Sequence, residues 1–229
     1  GRLPLDFPAN PRMRVSHETI YGYVYADKRA GGSLYTHLRK GHKRRHKRGT
    51  GKSRRGQIPG RVSIEERPAI VETQQRIGDW EADTLFGKNH RAPLITLVDR
   101  KTLALTAARM ADKRAASLNK AAQKALKRLP GIPAHTMTVD NGKEFARFKQ
   151  LEESIGGRIY FAKPYKATDR AINENINGLL RQYLPKGTDF STLTAHRLNA
   201  IIDKLNNRPR KKLGYRTPLE MLRLHGVAL

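Results

Sequence analysis

The sequence predicts a mixed α/β fold in which helices cover the faces of a β-sheet. Three observations predict it: short apolar runs with strand character, longer segments with helical periodicity, and the order in which the two alternate. Strands are predicted, in chain order, in the segments GDWEADTLFG, APLITLVDR, LALTAARM, HTMTVD and RIYFA. The second of these is almost continuously apolar, as expected of a strand that is buried on both faces.

The predicted helices fall between and after these strands. Ala115 to Leu129 has apolar residues at helical spacing, basic residues on the other face, and Pro130 as a stop signal. Further helices are predicted in FARFKQLEESI, from about Asp169, and from Thr194 to Asn206. The order is therefore three strands, helix, strand, helix, strand and helices, which fits one mixed sheet flanked by helices.

The N-terminal region has a different character. Residues 1–13 contain three Pro and little periodicity, and we predict a loop there. Ser16 is a candidate N-cap, and an apolar stripe of Ile20, Tyr23 and Val24 follows it at helical spacing. Two interpretations stand: the second helix of a helix-turn-helix that contacts DNA, or a short packing helix with no DNA contact.

Composition and charge restrict the function classes. The 229 residues include 46 Lys and Arg against 20 Asp and Glu, a net charge of +26. Such a chain repels itself unless an anion screens it, so nucleic acid is the expected partner; the alternative is a merely soluble basic surface. The absence of Cys excludes disulfides and Cys-based zinc sites. No apolar run reaches the ~18 residues of a membrane span, and we expect a cytoplasmic protein without a membrane partner.

A basic stretch separates two predicted domains. In RKGHKRRHKRGTGKSRR, residues 39–55, ten of seventeen residues are Lys or Arg and none is acidic. Such a stretch cannot bury a core, and we expect it to follow DNA phosphates. We predict an N-terminal segment with this basic linker over 1–60 and a catalytic core with C-terminal helices over 61–229. The DNA-binding candidates of the linker are Lys43, Arg44, Arg45, Lys47 and Arg48.

Three acidic residues are candidates for metal-dependent chemistry on DNA. Two Mg²⁺ ions can clamp the attacking and leaving oxygens of a phosphodiester displacement, and they need converging carboxylates. Asp83 lies in a predicted strand, and Asp140 ends another one just before an Asn-Gly turn. Glu174 lies on a predicted helix, opposite the apolar side formed by Ile172, Ile176, Leu179, Leu180 and Tyr183.

Glu174 shares its predicted polar stripe with Asn177, Gly178 and Arg181. Such a stripe suits a metal at one end and a DNA backbone along the rest, although periodicity alone favours an ordinary solvated face. Near the C-terminus, the basic segment NNRPRKKLGYR either contacts DNA or closes the fold against the sheet. Its DNA-binding candidates are Arg208, Arg210, Lys211 and Lys212.

Five phrases carry a resemblance to a known family: SHETIYGYVYADKRAGGSLYTHLR, GDWEADTLFG, TVDNGKEF, NENINGLLRQYLPKGTDF and LNNRPRKKLGYRTPLEML. With 33 residues between Asp140 and Glu174, the chain resembles the insertion sequence 30 family of bacterial transposases, within the D-D-E transposase and retroviral integrase group. The resemblance implies a ribonuclease-H-like fold with a five-stranded mixed sheet. It also implies that Asp83, Asp140 and Glu174 bind metal and that Arg181 helps to hold DNA.

The resemblance implies the activity as well. Such an enzyme cleaves DNA at transposon ends and joins the freed strands to target DNA, using two Mg²⁺ ions for which Mn²⁺ can substitute. The expected partners are transposon-end and target DNA and further copies of the chain, in a homodimer or larger multimer at the bacterial nucleoid. The residues before Glu174, from Ala167 to Asn173, depart from the family pattern. The alternative is therefore a catalytically impaired or domesticated transposase-derived protein that only binds DNA.

The resemblance also singles out neighbours of the second Asp. Asn141, Gly142 and Glu144 match the family's motif there, and we expect Asn141 and Gly142 to serve the turn and its structural hydrogen bonds. Three further carboxylates, Asp79, Glu81 and Asp99, lie in or next to predicted strands. We expect these three to have structural roles, and Trp80 to pack in the core.

Overall fold

The computed structural model describes residues 1–38, 58–163 and 167–227. The chain forms two compact units, Gly1–Gly56 and Gln57–Leu229. The predicted division at residue 60, into an N-terminal segment and a catalytic core, stays a prediction. The basic stretch 39–55, with the DNA-binding candidates Lys43, Arg44, Arg45, Lys47 and Arg48, lies outside the described residues. Its predicted role therefore stays a prediction. Within the described ranges, no helix is both long and apolar enough to cross a bilayer.

The first unit contains the helices α1 (Leu3–Asp6) and α2 (His17–Arg29). α2 begins as predicted, because the Ser16 hydroxyl accepts a hydrogen bond at 3.0 Å from the backbone N–H of Thr19. No residue of α2 is buried, and the choice between a DNA-contacting helix and a packing helix stays open.

The prediction of loop throughout residues 1–13 is wrong at α1. Pro4 stands in the first turn of this helix, where its fixed φ favours helix and its missing N–H costs nothing. Arg2 pairs with Asp6 one turn later at 2.9 Å. These local interactions allow one helical turn in a segment that has no apolar periodicity.

The second unit is built on a five-stranded sheet. Its strands are β1 (Asp79–Leu85), β2 (Leu94–Asp99), β3 (Leu105–Arg109), β4 (Thr136–Val139) and β5 (Arg158–Phe161). They lie in the order β3-β2-β1-β4-β5. β2 is antiparallel to β1 and β3, whereas β4 is parallel to β1 and β5. The predicted mixed sheet and its five strands are confirmed.

Helices cover both faces of this sheet. They are α3 (Ile70–Thr73), α4 (Ala115–Leu126), α5 (Phe148–Ile155), α6 (Ala171–Leu180), α7 (Ala195–Asn206) and α8 (Pro218–Leu224). On one face, Leu118 of α4 and Leu151 of α5 belong to the same buried core as Trp80. On the other face, Ile176 of α6 and Ile202 of α7 share a second core with strand residues.

The alternation of side chains along β1 decides which residues face α6. Trp80 and Ala82 belong to the core beneath α4 and α5. Since successive side chains of a strand point to opposite faces, Glu81 and Asp83 point toward α6. The pattern of the strand thus places the first predicted metal ligand beside the helix that carries Glu174.

Candidate active site

Asp83 and Asp140 meet at the C-terminal ends of two neighbouring strands in the middle of the sheet. Asp83 lies near the end of β1 and Asp140 directly after β4, and these two strands are parallel neighbours. Both carboxylates face the guanidinium of Arg170: Nη1 lies 3.0 Å from Oδ1 of Asp83, and Nη2 lies 3.9 Å from Oδ2 of Asp140. The tertiary structure therefore joins two predicted site residues around a single positive charge.

The remaining oxygen of each carboxylate is held by the protein. Oδ2 of Asp83 accepts a hydrogen bond from Nδ2 of Asn177 at 3.0 Å. Oδ1 of Asp140 accepts one from the backbone N–H of Gly142 at 2.8 Å. These bonds fix the orientation of both carboxylates, so that Oδ1 of Asp83 and Oδ2 of Asp140 turn toward the shared cation.

The electrostatics of the pair favour a cation between the carboxylates. Burial raises the pKa of Asp83 above its ordinary value, and the charge of Asp140 raises it further, whereas Arg170 opposes the rise. Burial acts to lower the pKa of Arg170, but the charges of Asp83, Asp140 and Glu174 outweigh it and raise that pKa. Arg170 therefore stays charged and offsets part of the repulsion between the two Asp residues.

Glu174 lies on the exposed side of α6, one helical turn after Arg170. It belongs to the charges that act on Arg170, but it does not close the site. Within the described part of the chain, no three His, Cys, Asp or Glu side chains stand close enough together to hold a metal ion. Two of the three predicted metal ligands are thus brought together, and the third would have to approach them.

The donor chemistry of the Asp83–Asp140 pair fits a divalent cation. Both side chains offer hard carboxylate oxygens, the ligands that Mg²⁺ prefers. They already share one cationic group at 3.0 and 3.9 Å. The pair can therefore accept a metal ion where the guanidinium now lies.

The polar stripe predicted on α6 is only partly open. Gly178 is exposed, but Asn177 is buried, with 7% of its surface accessible. The expected exposure of Asn177 is wrong because its amide turns inward to Asp83. Its contact with DNA stays a prediction. In the structure, its side-chain amide holds the carboxylate of Asp83.

Arg181 also has internal contacts. Nη2 donates to the carbonyl oxygen of Phe86 at 2.8 Å, and Nη1 donates to that of Leu184 at 3.4 Å. The guanidinium carbon lies 5.8 Å from the centre of the Phe190 ring. This side chain therefore ties the end of α6 to the loop after β1, and its contact with DNA stays a prediction.

The C-terminal basic segment combines buried and exposed residues. Arg210 is buried, and its Nη2 donates to the Leu205 carbonyl at 2.8 Å, which contradicts the surface position expected of a DNA contact. Arg208, Lys211 and Lys212 are exposed and compatible with phosphate binding. One buried residue and three exposed ones indicate that the segment closes the fold on one side and leaves a basic surface on the other.

Asn206 supports this closing role. Its side-chain oxygen accepts a hydrogen bond from the backbone N–H of Leu105, and its amide donates to the carbonyl of the same residue, both at 2.8 Å. Leu222 of α8 reaches the core beneath α4. The C-terminal region therefore caps the outer strand β3 through Asn206 and closes the core beneath α4 through Leu222.

The other acidic residues that the sequence analysis weighed have structural partners. Asp79 is held by Arg76 at 2.8 Å, Glu81 by Arg100, and Asp99 by two backbone N–H groups. All three carboxylates are buried. Their structural role is confirmed, as is the burial of Trp80 in the core.

The neighbours of Asp140 behave as the motif predicted. Asn141 accepts a hydrogen bond from Arg61 and donates one to the carbonyl of Ala162 at 2.7 Å, so it joins the ends of β4 and β5. Glu144 accepts a hydrogen bond at 2.7 Å from the hydroxyl of Thr84, next to Asp83. The structural function of Asn141 is confirmed, and Glu144 shapes the rim of the site.

Two important residues, Arg170 and Asn173, were not among the predicted site residues. Asn173 is fully buried. Its side-chain amide donates to the backbone carbonyl of Glu81 at 2.9 Å, and its backbone N–H donates to the Glu81 carboxylate at 2.8 Å. The available signals were their positions in the sequence: Asn173 directly precedes Glu174, and Arg170 lies one helical turn before it. An isolated polar residue on a helix gives no indication, however, of which strand it will reach.

Comparisons with known proteins agree with this architecture. Residues 74–167 match the integrase core domain family. The catalytic core domain of BIV integrase is 17% identical with a TM-score of 0.51, over 66% of this chain and 97% of that one. The simian T-cell lymphotropic virus intasome is 19% identical with a TM-score of 0.50, over 90% of this chain and 73% of that one. These structures confirm the predicted ribonuclease-H-like fold.

Three curated relatives are much closer in sequence. The transposase for insertion sequence element IS4351 of Bacteroides fragilis is 48% identical over 90% of this chain, and that for IS1086 of Cupriavidus metallidurans is 42% identical over 96%. Transposase InsI for insertion sequence element IS30A of Escherichia coli K12 is 37% identical over 100% of this chain. The chain spans 63%, 66% and 61% of the lengths of these proteins. On these likenesses, this chain belongs to the insertion sequence 30 family of transposases.

Proposed function

We propose that this protein is a DNA transposase that cleaves phosphodiester bonds at transposon ends and joins the freed 3′ ends to target DNA. The observation that carries the proposal is that the carboxylates of Asp83 and Asp140 converge on the guanidinium of Arg170, at 3.0 and 3.9 Å, in a chain of this family. Partly buried carboxylates that converge on one positive charge are the kind of oxygen donors that metal-dependent phosphoryl transfer uses.

Three carboxylates carry the proposed chemistry. Asp83 and Asp140, together with Glu174 after a movement at the start of α6, would hold two Mg²⁺ ions, with Mn²⁺ as a substitute. When bound, the ions supply Lewis acidity to the attacking and leaving oxygens of an in-line displacement. Asn177 and the Gly142 amide keep one oxygen of each Asp turned away, and the other oxygen stays directed at the cation.

Positive charge on the rest of the chain would hold the DNA. With a net charge of +26, the linker and the exposed residues Arg208, Lys211 and Lys212 would bind phosphates of the transposon end and of the target. A homodimer or larger multimer, acting at the bacterial nucleoid, would hold two ends at once. The chain covers less than two thirds of the first relative's length.

The test is an assay for cleavage and joining. We expect the protein with Mg²⁺ and labelled DNA from the ends of its element to form nicked and joined products. Asp140→Asn should abolish both steps and leave DNA binding intact or tighter, because one negative charge is removed. Asp203→Asn, the same change at an exposed position on α7, should leave both steps intact.

The outcomes separate this proposal from other functions. Binding without any product would contradict it and favour a transposase-derived protein that only binds DNA. Nicking without joining would favour a nuclease. Products formed equally well by Asp140→Asn would remove the carboxylate pair from the mechanism.

A further inference from the structure

Arg170 lies where a metal ion would lie. Its guanidinium bridges Asp83 and Asp140 at 3.0 and 3.9 Å, and 17% of its side-chain surface is accessible. Two carboxylates and one guanidinium leave a net charge of about −1 in this pocket. In the metal-free protein, the two carboxylates are therefore already paired with a positive charge from the chain itself.

The guanidinium is attracted to the pocket but is not locked in it. Among the described residues, none accepts a hydrogen bond in good geometry from Nη1 of Arg170, although that atom is buried. Asp83 attracts Nη1 by charge at 3.0 Å. A buried donor in this state is costly, so the contact is less stable than its distance alone suggests.

The position of Arg170 on α6 also works against it. Arg170 is the N-cap residue of α6 and makes no capping hydrogen bond with its side chain. The N-terminus of a helix carries partial positive charge and favours anions over a guanidinium. The attraction of nearby carboxylates, chiefly those of Asp83 and Asp140, holds the side chain there.

We infer that Arg170 is a built-in competitor for the metal, which occupies the Asp83–Asp140 pair in the metal-free protein and must leave when a divalent ion binds. This inference rests on the proposed two-metal function. It deepens that function, because metal binding then requires a rearrangement at the start of α6. Glu174 stands one turn further along the same helix, so the movement that withdraws Arg170 is the movement that can bring Glu174 closer.

The experiment measures metal affinity and does not depend on activity. Mn²⁺ is titrated by calorimetry into the metal-free wild type, Arg170→Gln and Lys143→Gln. Lys143 is exposed and lies three residues after Asp140, so its variant loses the same charge near the site without emptying the pocket. We expect Arg170→Gln to bind Mn²⁺ at least about tenfold tighter than the wild type, and Lys143→Gln to change the affinity less than about threefold.

Thermal unfolding gives a second readout. Without metal, Arg170→Gln should melt at a lower temperature than the wild type, because the two Asp residues lose their counter-charge. Added Mn²⁺ should raise its melting temperature more than that of the wild type, because tighter binding stabilises the folded state more. Arg170→Lys keeps a charge but not the planar fork that bridges two carboxylates, so its affinity for Mn²⁺ should fall between those of the wild type and Arg170→Gln.

The possible results distinguish this inference from the proposed function. Equal or weaker Mn²⁺ binding by Arg170→Gln, or by Arg170→Lys should Arg170→Gln not fold, would overturn the inference. The function would still stand if the wild type binds metal and forms products. Tight binding by Arg170→Gln beside a wild type that binds no Mn²⁺ would support the competitor and contradict an active wild-type site. An absence of binding in every variant would reject both.

Discussion

Asn173→Ala should destabilise the second unit, because the Asn173 side chain joins α6 to two strands. Its amide donates to the carbonyl of Glu81 at 2.9 Å and to that of Thr96 at 3.4 Å, and its carbonyl oxygen accepts from the Thr96 hydroxyl at 3.2 Å. The residue has no accessible surface. Alanine would remove all three bonds and leave buried polar partners behind.

The expected cost follows from these contacts. A net hydrogen bond contributes about 1 kcal/mol, and a buried polar group left without a partner costs about 1–3 kcal/mol. Thr96 keeps a second hydrogen bond, to the carbonyl of Asp83 at 3.2 Å, and the backbone bond of Asn173 to the Glu81 side chain survives. Because these bonds remain, we count about 1 kcal/mol for each of the three lost hydrogen bonds. We therefore expect the free energy of unfolding to fall by about 3 kcal/mol.

The assay is urea denaturation followed by tryptophan fluorescence. Trp80 is the only Trp in the chain and is buried in β1, so the signal reports the second unit alone. With an m-value of about 2 kcal/mol per M, the midpoint should fall by about 1.5 M urea. Glu174→Gln, at the next and exposed position, should stay within about 0.5 kcal/mol of the wild type while it abolishes strand cleavage.

One result would refute this reasoning. If Asn173→Ala unfolds within about 0.5 kcal/mol of the wild type, these hydrogen bonds do not hold α6 on the sheet. A large loss of stability in Glu174→Gln would likewise show that Glu174 has a structural role. The two variants together separate the anchoring of the helix from the chemistry at its surface.

Adjacent glycines, the carboxylate of Asp189 and the salt response give further tests. A Cβ on Gly157 would lie 1.8 Å from the carbonyl oxygen of Ala134, so Gly157→Ala should lose about 3 kcal/mol or more in urea denaturation. Gly156→Ala meets no atom within 4 Å and should lose only about 1 kcal/mol, from its φ of +68°; equal losses would contradict the close approach. Hydrogen bonds from the Ser191 side chain and backbone lower the pKa of Asp189 below 3.8. The resulting stability is present above that pH and is lost as the pH falls through the lowered pKa, so the difference between Asp189→Asn and the wild type should close in acid; a gap independent of pH would refute it. DNA affinity should fall about a thousandfold or more between about 50 and 200 mM salt, and a flat response would contradict phosphate binding.

The sequence by itself determined the five strands, most of the helices and the ends of several of them. The Ser16 cap of α2, the alternation along β1 and the position of Asp140 after a strand could all be predicted, since each depends on a few neighbouring residues. The apolar side of α6 was also correct, because helical periodicity is a local property. The family resemblance added the expectation that three carboxylates, Asp83, Asp140 and Glu174 in chain order, bind metal together.

Tertiary structure alone decided the contacts of the polar residues. Arg170 lies between Asp83 and Asp140, Asn177 turns inward, and Arg210 is buried where a surface position was expected. Each of these positions depends on the distance and angle between elements that are far apart in the chain. Periodicity specifies which side of a helix is apolar, but a polar side chain at its border goes wherever an opposite charge or a hydrogen-bond partner lies within reach, and packing alone sets that distance.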